Sequence, residues 1–280
     1  MTVRIVTDSA SDLPQEMADA LGIVIVPLHV RFGATELVDR QELSVEEFWA
    51  RCSVSADLPE TAAPSPGAFK EAFDTLFAEG ADGIVCVTLS SKLSATNEAA
   101  AQAARSMRDE VAVRVLDSFS VTMGQGLMAL AAAEAASGGE GLDRVIAVAE
   151  STRERLTVCG VLDTLENLRR GGRIGGAAAA LGTLLSIKPV IEVREGVVEQ
   201  ESKQRTRAKS LRYLAQKVRA AGPLERLALL DAQAPDFGEF LGLVADVRSA
   251  MPLVVGQIGP VIGTHAGPGT IGVAWVSQRS

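Results

Sequence analysis

Short β-branched runs alternate with helical patterns along the first half of this 280-residue chain, and that alternation narrows the possible folds more than any other feature. Val3-Arg4-Ile5-Val6, Ile23 to Val26, Ile84 to Val87 and Val111 to Leu116 each have the length of a strand, and stretches of helical periodicity separate them. Strands that alternate with helices assemble into a mainly parallel sheet covered on both faces, so the fold class is α/β. Local signals agree. Pro14 to Leu21 reads as a helix, with Asp12 as candidate N-cap and Gly22 as its stop; Ser44 and Glu47 have capping-box spacing for a helix through Trp49. Ser53 to Pro66 reads as an irregular loop, with helices over Gly124 to Ala136 and Leu142 to about Arg155 further on.

A chain of this length with 47% apolar residues usually divides its core in two. Ser137-Gly138-Gly139 and the end of the following helix predict a boundary near 155, giving domains 1–155 and 156–280. The second half carries helix patterns at Asp163 to Leu168, Ala177 to Leu185, Thr206 to Ala220 and Pro235 to Met251. Strand patterns lie near Pro189, Val197, Leu227, Val254 and Val273, so this is a second α/β domain.

Composition excludes several functions. A formal charge of -8 argues against a nucleic-acid surface, which needs clustered Lys and Arg. Two histidines and three scattered cysteines give no zinc set, and neither a Gly-Lys-Thr/Ser loop nor a Gly-x-Gly-x-x-Gly follows the first strand. No metal and no cofactor is expected. Cys52, Cys86 and Cys159 each lie beside apolar residues and suit a reducing cytoplasm. Met1 to Val6 leads straight into Thr7-Asp8-Ser9, which does not resemble a signal peptide, and no apolar run reaches the roughly twenty residues of a membrane helix.

The chemistry concentrates in hydroxyl-rich and glycine-rich loops: Thr7-Asp8-Ser9 with Ser11-Asp12, then Thr61, then Ser90-Ser91 with Ser94 and Thr96, and Gly263 to Gly269 around His265. Three of them follow expected strands, where an open α/β sheet places its ligand, and hydroxyls with backbone donors suit a small anion such as a carboxylate or phosphate. Each motif has a plainer reading. Asp8-Ser9 and Ser94 could cap helices, and Thr61-Ala62-Ala63-Pro64 could be a surface turn. His265 among glycines points to a ligand contact, with a buried, tautomer-fixed imidazole as the alternative, whereas His29 in an apolar strand reads as a core or edge residue. Arg169, Arg170 and Arg173 form a basic loop in an acidic chain, either a solvated helix end or a dock for an anion or partner.

Seven motifs in register, Thr7 to Leu13, Thr61 to Ser65, Ser91 to Thr96, Asp117-Ser118, Thr164 to Ile174, Lys188-Pro189 and Gly263 to Gly269, resemble the DegV family over nearly the whole chain. The resemblance implies the two-domain DegV-like (EDD) fold with a ligand tunnel. It also implies the role of a fatty-acid-binding subunit, which presents a long-chain fatty acid to a separate ATP-dependent fatty acid kinase subunit for conversion to acyl phosphate. By position, Thr61, Ser94 and His265 would hold the carboxylate with Thr96 nearby, and Asp8, Ser9, Ser91 and Gly267 would support them. Arg169, Arg170 and Arg173 would meet the kinase. Such a carrier would have no catalytic activity of its own and at most transient membrane contact. The family's Thr-Ser-Gln-Pro is here Thr61-Ala62-Ala63-Pro64, and its Ser-Gly-Thr is Ser94-Ala95-Thr96. A free-standing lipid sensor or buffer is the alternative, followed by a serine hydrolase with Ser94 or Ser118 as nucleophile and His265 as base.

Overall fold

Strands β1 (Val3–Asp8) and β6 (Gly83–Thr88) are almost wholly buried on both faces, which is why they form the centre of a parallel sheet. The computed structural model describes residues 2–55, 58–107, 112–180 and 187–279. Between the two central strands run α1 (Gln15–Leu21), β2 (Val24–Val26), β3 (His29–Phe32), β4 (Thr35–Val38), α2 (Val45–Val54), β5 (Glu60–Ala62) and α3 (Pro66–Ala78). Then come α4 (Thr96–Arg105), β7 (Ala112–Asp117), α5 (Thr122–Ser137) and α6 (Leu142–Glu154). The sheet order is β2-β1-β6-β7, all parallel.

The second half contributes β8 (Leu156–Val161), α7 (Glu166–Arg170), β9 (Lys188–Arg194), β10 (Val197–Gln204), α8 (Arg207–Ala220), β11 (Leu224–Asp231), α9 (Phe237–Leu243), β12 (Val254–Gln257), α10 (Pro260–Ala266) and β13 (Ile271–Ser277). Its six-stranded sheet has the order β10-β9-β8-β13-β11-β12, antiparallel except for the β11–β12 pair. The expected α/β class is present, with a parallel sheet in the first half and a second sheet in the other.

Helix α5 joins the two sheets. Every residue from Thr122 to Ala133 is buried, as the helix's all-round alanine, leucine and methionine composition requires. One face meets Val85 and Val87 of the parallel sheet. The same apolar cluster takes in Val158, Ala228, Leu230, Ala274 and Val276 of the second sheet. Gly124 permits the close approach, since a Cβ there would overlap Ser120 and Val158.

Several local expectations hold and others are corrected. Gly22 closes α1 in the left-handed region, and Ser44 Oγ accepts the Glu47 N–H at 3.1 Å, though α2 runs on to Val54. Asp12 does not cap α1; it ends a 3-10 turn at Ser9–Ser11, and Pro14 occupies the helix N-cap position. The expected loop from Ser53 to Pro66 contains β5, which pairs with β3 in a small antiparallel sheet of order β4-β3-β5. The expected helix at Pro235 to Met251 ends at Leu243. Of the helix expected over Ala177 to Leu185, residues as far as Ala180 belong to a 3-10 turn, and the remainder lies outside the described residues. The glycine-rich segment around His265 is α10, a short helix rather than a loop. Gly263 lies against Phe48 and Trp49 of α2, where a Cβ would stand 2.8 Å from each ring.

Candidate carboxylate site

The loops leaving the C-terminal ends of β1, β6 and β7 are tied to one another by side chains the sequence singles out. Asp8 accepts the N–H groups of Ala10 at 3.0 Å and Leu89 at 2.9 Å, fixing the start of the loop that leads to Ser94. Burial, only partly offset by those bonds, raises its pKa to about 6. Ser9 Oγ accepts the Leu28 N–H at 3.0 Å, and the Asp117 carboxylate accepts from Ser91 N at 3.2 Å. None of Asp8, Ser9 and Ser91 lines the apolar cavity that Ser94 borders; they brace the backbone that does.

That cavity measures about 190 Å³. Its walls come from β5 and the residues after it (Thr61 to Ala63), the β6–α4 loop (Leu89, Leu93 to Ala95), the β9–β10 hairpin (Ile191, Val193, Val198) and α10 (Val261, Ile262, His265, Ala266), with Leu28, Val121, Leu168 and Arg173. Its lining is apolar except for Thr61, Ser94, Arg173 and His265. Thr61 is set by the pairing of β5 with β3, opposite Val30, and its hydroxyl lies 2.9 Å from His265 Nε2. Ser94 Oγ lies 2.8 Å from Thr96 Oγ1. Thr96 is fully buried and does not reach the cavity; it orients Ser94 from behind. Ser94 is not the N-cap of α4, a position held by Ala95.

Arg173 departs from expectation. Read as part of an exposed docking surface with Arg169 and Arg170, it instead turns inward, donating to the carbonyls of Leu93 at 3.1 Å and Gly171 at 2.6 Å and lining the cavity beside His265. Gly171-Gly172 makes this possible. Gly172 adopts a positive φ of 70°, and Gly171 lies so close to the His265 ring that a Cβ would overlap it. Arg169 and Arg170 are exposed, and Arg169 pairs with Glu166. Gly267, with φ 79°, ends α10 against Asn167 rather than lining the cavity.

His265 is deprived of water. Burial first, and the Arg173 charge second, lower its pKa to about 4, so the imidazole is neutral at physiological pH and Nε2 shares a hydrogen with Thr61. Its Nδ1 is buried with no hydrogen-bond partner among the described residues. In an NMR titration the His265 ring, assigned by comparison with a His29→Gln variant, should titrate with a midpoint near 4 and stay neutral from pH 6 to 8; a midpoint near the ordinary 6.5 would show the ring to be solvated. His29 itself lies in β3, with Nδ1 3.1 Å from Glu36 and away from the cavity lining.

Thr61, Arg173 and His265 also line an adjoining polar pocket of about 270 Å³, with Glu60, Asn167, Arg170, Gly171 and Thr264. The apolar cavity therefore meets a polar pocket at a wall of one hydroxyl, one neutral imidazole and one guanidinium. Such a wall can orient an anion from the apolar side while leaving it within reach from the polar side. No hydrogen bond joins Ser94 or Ser118 to His265 among the described residues; Ser118 is buried and bonded to Ser120. No group of three or more His, Cys, Asp or Glu among the described residues could hold a metal ion.

The sequence profile of a family described as "Uncharacterised protein, DegV family" matches residues 2–278. The chain belongs to the DegV family. A DegV domain-containing protein of Streptomyces coelicolor is 38% identical over 99% of both chains. The solved structure of a fatty-acid-binding DegV family protein from Thermus thermophilus superposes with a TM-score of 0.91 at 35% identity, covering 99% of this chain and 100% of that one. DegV of Bacillus subtilis, described as a fatty acid binding protein, gives 0.87 at 29% identity over 99% and 100%. Fatty-acid binding is thus a property of solved DegV proteins that share this fold along their whole length. No helix among the described residues is long and apolar enough to cross a membrane.

Proposed function

We propose that this DegV protein binds a long-chain fatty acid, with the acyl chain in the apolar cavity and the carboxylate at Thr61, Ser94 and His265. The observation that carries this reading is the cavity itself: an apolar lining interrupted only by two hydroxyls, a neutral imidazole and an arginine. An acyl chain gains by leaving water for such walls, by about 0.8 kcal/mol per buried methylene. Its carboxylate needs hydrogen-bond donors where it stops. Fatty-acid binding by the Thermus and Bacillus relatives supports the assignment.

The bound acid is presented to a separate ATP-dependent kinase subunit. A carboxylate oxygen attacks the γ-phosphorus, ADP leaves, and the acyl phosphate remains; positioning, not covalent help from this chain, is what the carrier contributes. The polar pocket beyond Thr61, Arg173 and His265 is the side from which a phosphoryl donor reaches the carboxylate. Arg170 on its lining and the neighbouring Arg169 are the partner-binding residues. Domains 1–155 and 156–280 and a cytoplasmic location complete the reading, the latter because the three cysteines are free.

Native mass spectrometry of the purified protein, followed by denaturation and identification of any released molecule, tests the binding step. One fatty acid per chain is expected. A protein that is empty and also refuses added fatty acids would refute the assignment. Tight binding combined with no phosphorylation by any homologous kinase subunit would leave a lipid buffer.

A further inference from the structure

Asp12 stands outside the apolar cavity of the carboxylate site, yet each of its carboxylate oxygens holds a segment that builds it. Oδ1 accepts the Gly259 N–H at 3.0 Å, and Oδ2 accepts the Thr122 hydroxyl at 2.6 Å. Gly259 is the N-cap residue of α10, the helix that supplies Val261, Ile262, His265 and Ala266 to the lining. Thr122 opens α5 directly after the lining residue Val121. The approach is close, since a Cβ on Gly259 would stand 2.8 Å from Asp12 Oδ1. Both partners of the short bond are left-handed, with φ of 50° at Asp12 and 49° at Thr122, a conformation that non-glycine residues hold only when their surroundings enforce it.

A second hollow of about 450 Å³ lies on this side of α10, with Asp12, Gly259 and Pro260 in its wall. The helix is therefore a shared boundary, held at its start by Asp12 and carrying His265 in its last turn.

We propose that Asp12 is a positioning residue of the carboxylate site, fixing the N-terminus of α10 and through that helix the stance of His265 against Thr61. The ligand named in its test rests on the fatty-acid reading, whereas the placement of His265 does not.

Among the described residues the charged groups that act most on Asp12 are Arg40 and Asp39, both between β4 and α2. From α5 and α10 it receives only the Thr122 hydroxyl and the Gly259 N–H, neither of which titrates near neutrality. Burial outweighs both hydrogen bonds and the Arg40 charge and lifts its pKa to about 7. An aspartate with a higher pKa folded than unfolded binds its proton more tightly in the native state. Stability from this group is therefore present below the unfolded value of 3.8 and is lost as pH rises through about 7. The ionised form weakens the fold but makes the stronger, charge-assisted bond to Gly259. A group kept only for stability would be the neutral amide.

Asp12→Asn and Asp12→Ala in the full chain provide the test, with three readouts at pH 6 and pH 8: stability to urea, the His265 ring-nitrogen shifts without ligand, and affinity for cis-parinaric acid. Asp12→Asn should be at least as stable as wild type at pH 8. It should nonetheless bind roughly tenfold more weakly there, the difference between a charged and a neutral hydrogen bond, and equally well at pH 6, where wild-type Asp12 is mostly protonated and the amide replaces a neutral carboxyl. Its His265 shifts should move at pH 8. The same affinity ratio at both pH values, or His265 shifts that do not change in Asp12→Asn, would overturn the proposal. If Asp12→Ala fails to fold, Asp12→Asn decides alone. If wild type binds no probe while Asp12→Asn still moves His265, the fatty-acid reading falls and the positioning role stands.

Discussion

Replacing Thr61 and Ser94 together by alanine is expected to weaken fatty-acid binding by more than about a hundredfold. Each hydroxyl can donate one hydrogen bond to an ionised carboxylate, and such bonds contribute roughly 1.5–3 kcal/mol apiece when the group is withdrawn from water. Neither side chain is part of the apolar core: Thr61 lies on a short strand of the small sheet and Ser94 on a loop, both half-buried. The double variant should therefore keep its fold while losing the ligand. Thr61→Ala also removes the hydroxyl bonded to His265 Nε2, so the imidazole loses its only hydrogen-bond partner among the described residues. Thr96→Ala is the informative contrast, because Thr96 touches Ser94 but not the cavity, and its loss should be several times milder. Calorimetry with oleate measures all three. Unchanged affinity in the double variant would mean that the carboxylate does not rest on this wall.

Phe48→Ala is expected to destabilise the protein by about 3–5 kcal/mol, read from the shift in the urea midpoint at constant slope. The Phe48 ring is fully buried, with Trp49 at 4.8 Å and Phe32 at 6.0 Å between ring centroids, and it packs on the bare backbone of Gly263. Truncating it leaves a void that a neighbouring helix of seven residues cannot easily fill without moving. Since that helix carries His265, ligand affinity should fall with stability. A loss below about 1 kcal/mol would show that α2 and α10 can close the gap.

The parallel sheet was legible because its central strands β1 and β6 are almost wholly buried and its strands appear as short β-branched runs between helical patterns. The small sheet was not, since its strands have three or four residues of mixed polarity, and pairing with β3 rather than intrinsic pattern makes Glu60–Ala62 a strand. Strand β8 escaped notice for a related reason: Leu156-Thr157-Val158-Cys159-Gly160-Val161 follows a helix without an intervening loop signal. Helix α10 contradicts the helix propensity of its glycines; the absence of a Cβ at Gly263 is what lets it dock on Phe48 and Trp49, a tertiary requirement that overrides local preference.

At the site, residue types spoke more clearly than directions. Hydroxyl-rich loops and a histidine among glycines put Thr61, Ser94 and His265 among the candidates and the DegV resemblance singled them out; the fold brings all three to the lining of one cavity. The inward turn of Arg173 was hidden, because three arginines near a helix end look alike in sequence and only the backbone path through Gly171 and Gly172 separates one from the others. Two adjacent glycines beside an arginine were the available signal.

Helix α5 packs against both sheets, and this constrains how the chain can be made as well as how it stands. When the first 137 residues have left the ribosome, the parallel sheet can close on one face of the helix, but the face that belongs to Val158, Ala228, Ala274 and Val276 is still without its partners. Closure of the core also awaits contacts as distant in sequence as Trp49 with Ile258 and Asp12 with Gly259. The second face of α5 therefore waits for the strands that carry Ala228, Ala274 and Val276, and a nascent chain halted before them leaves apolar helix surface open to aggregation or to a chaperone.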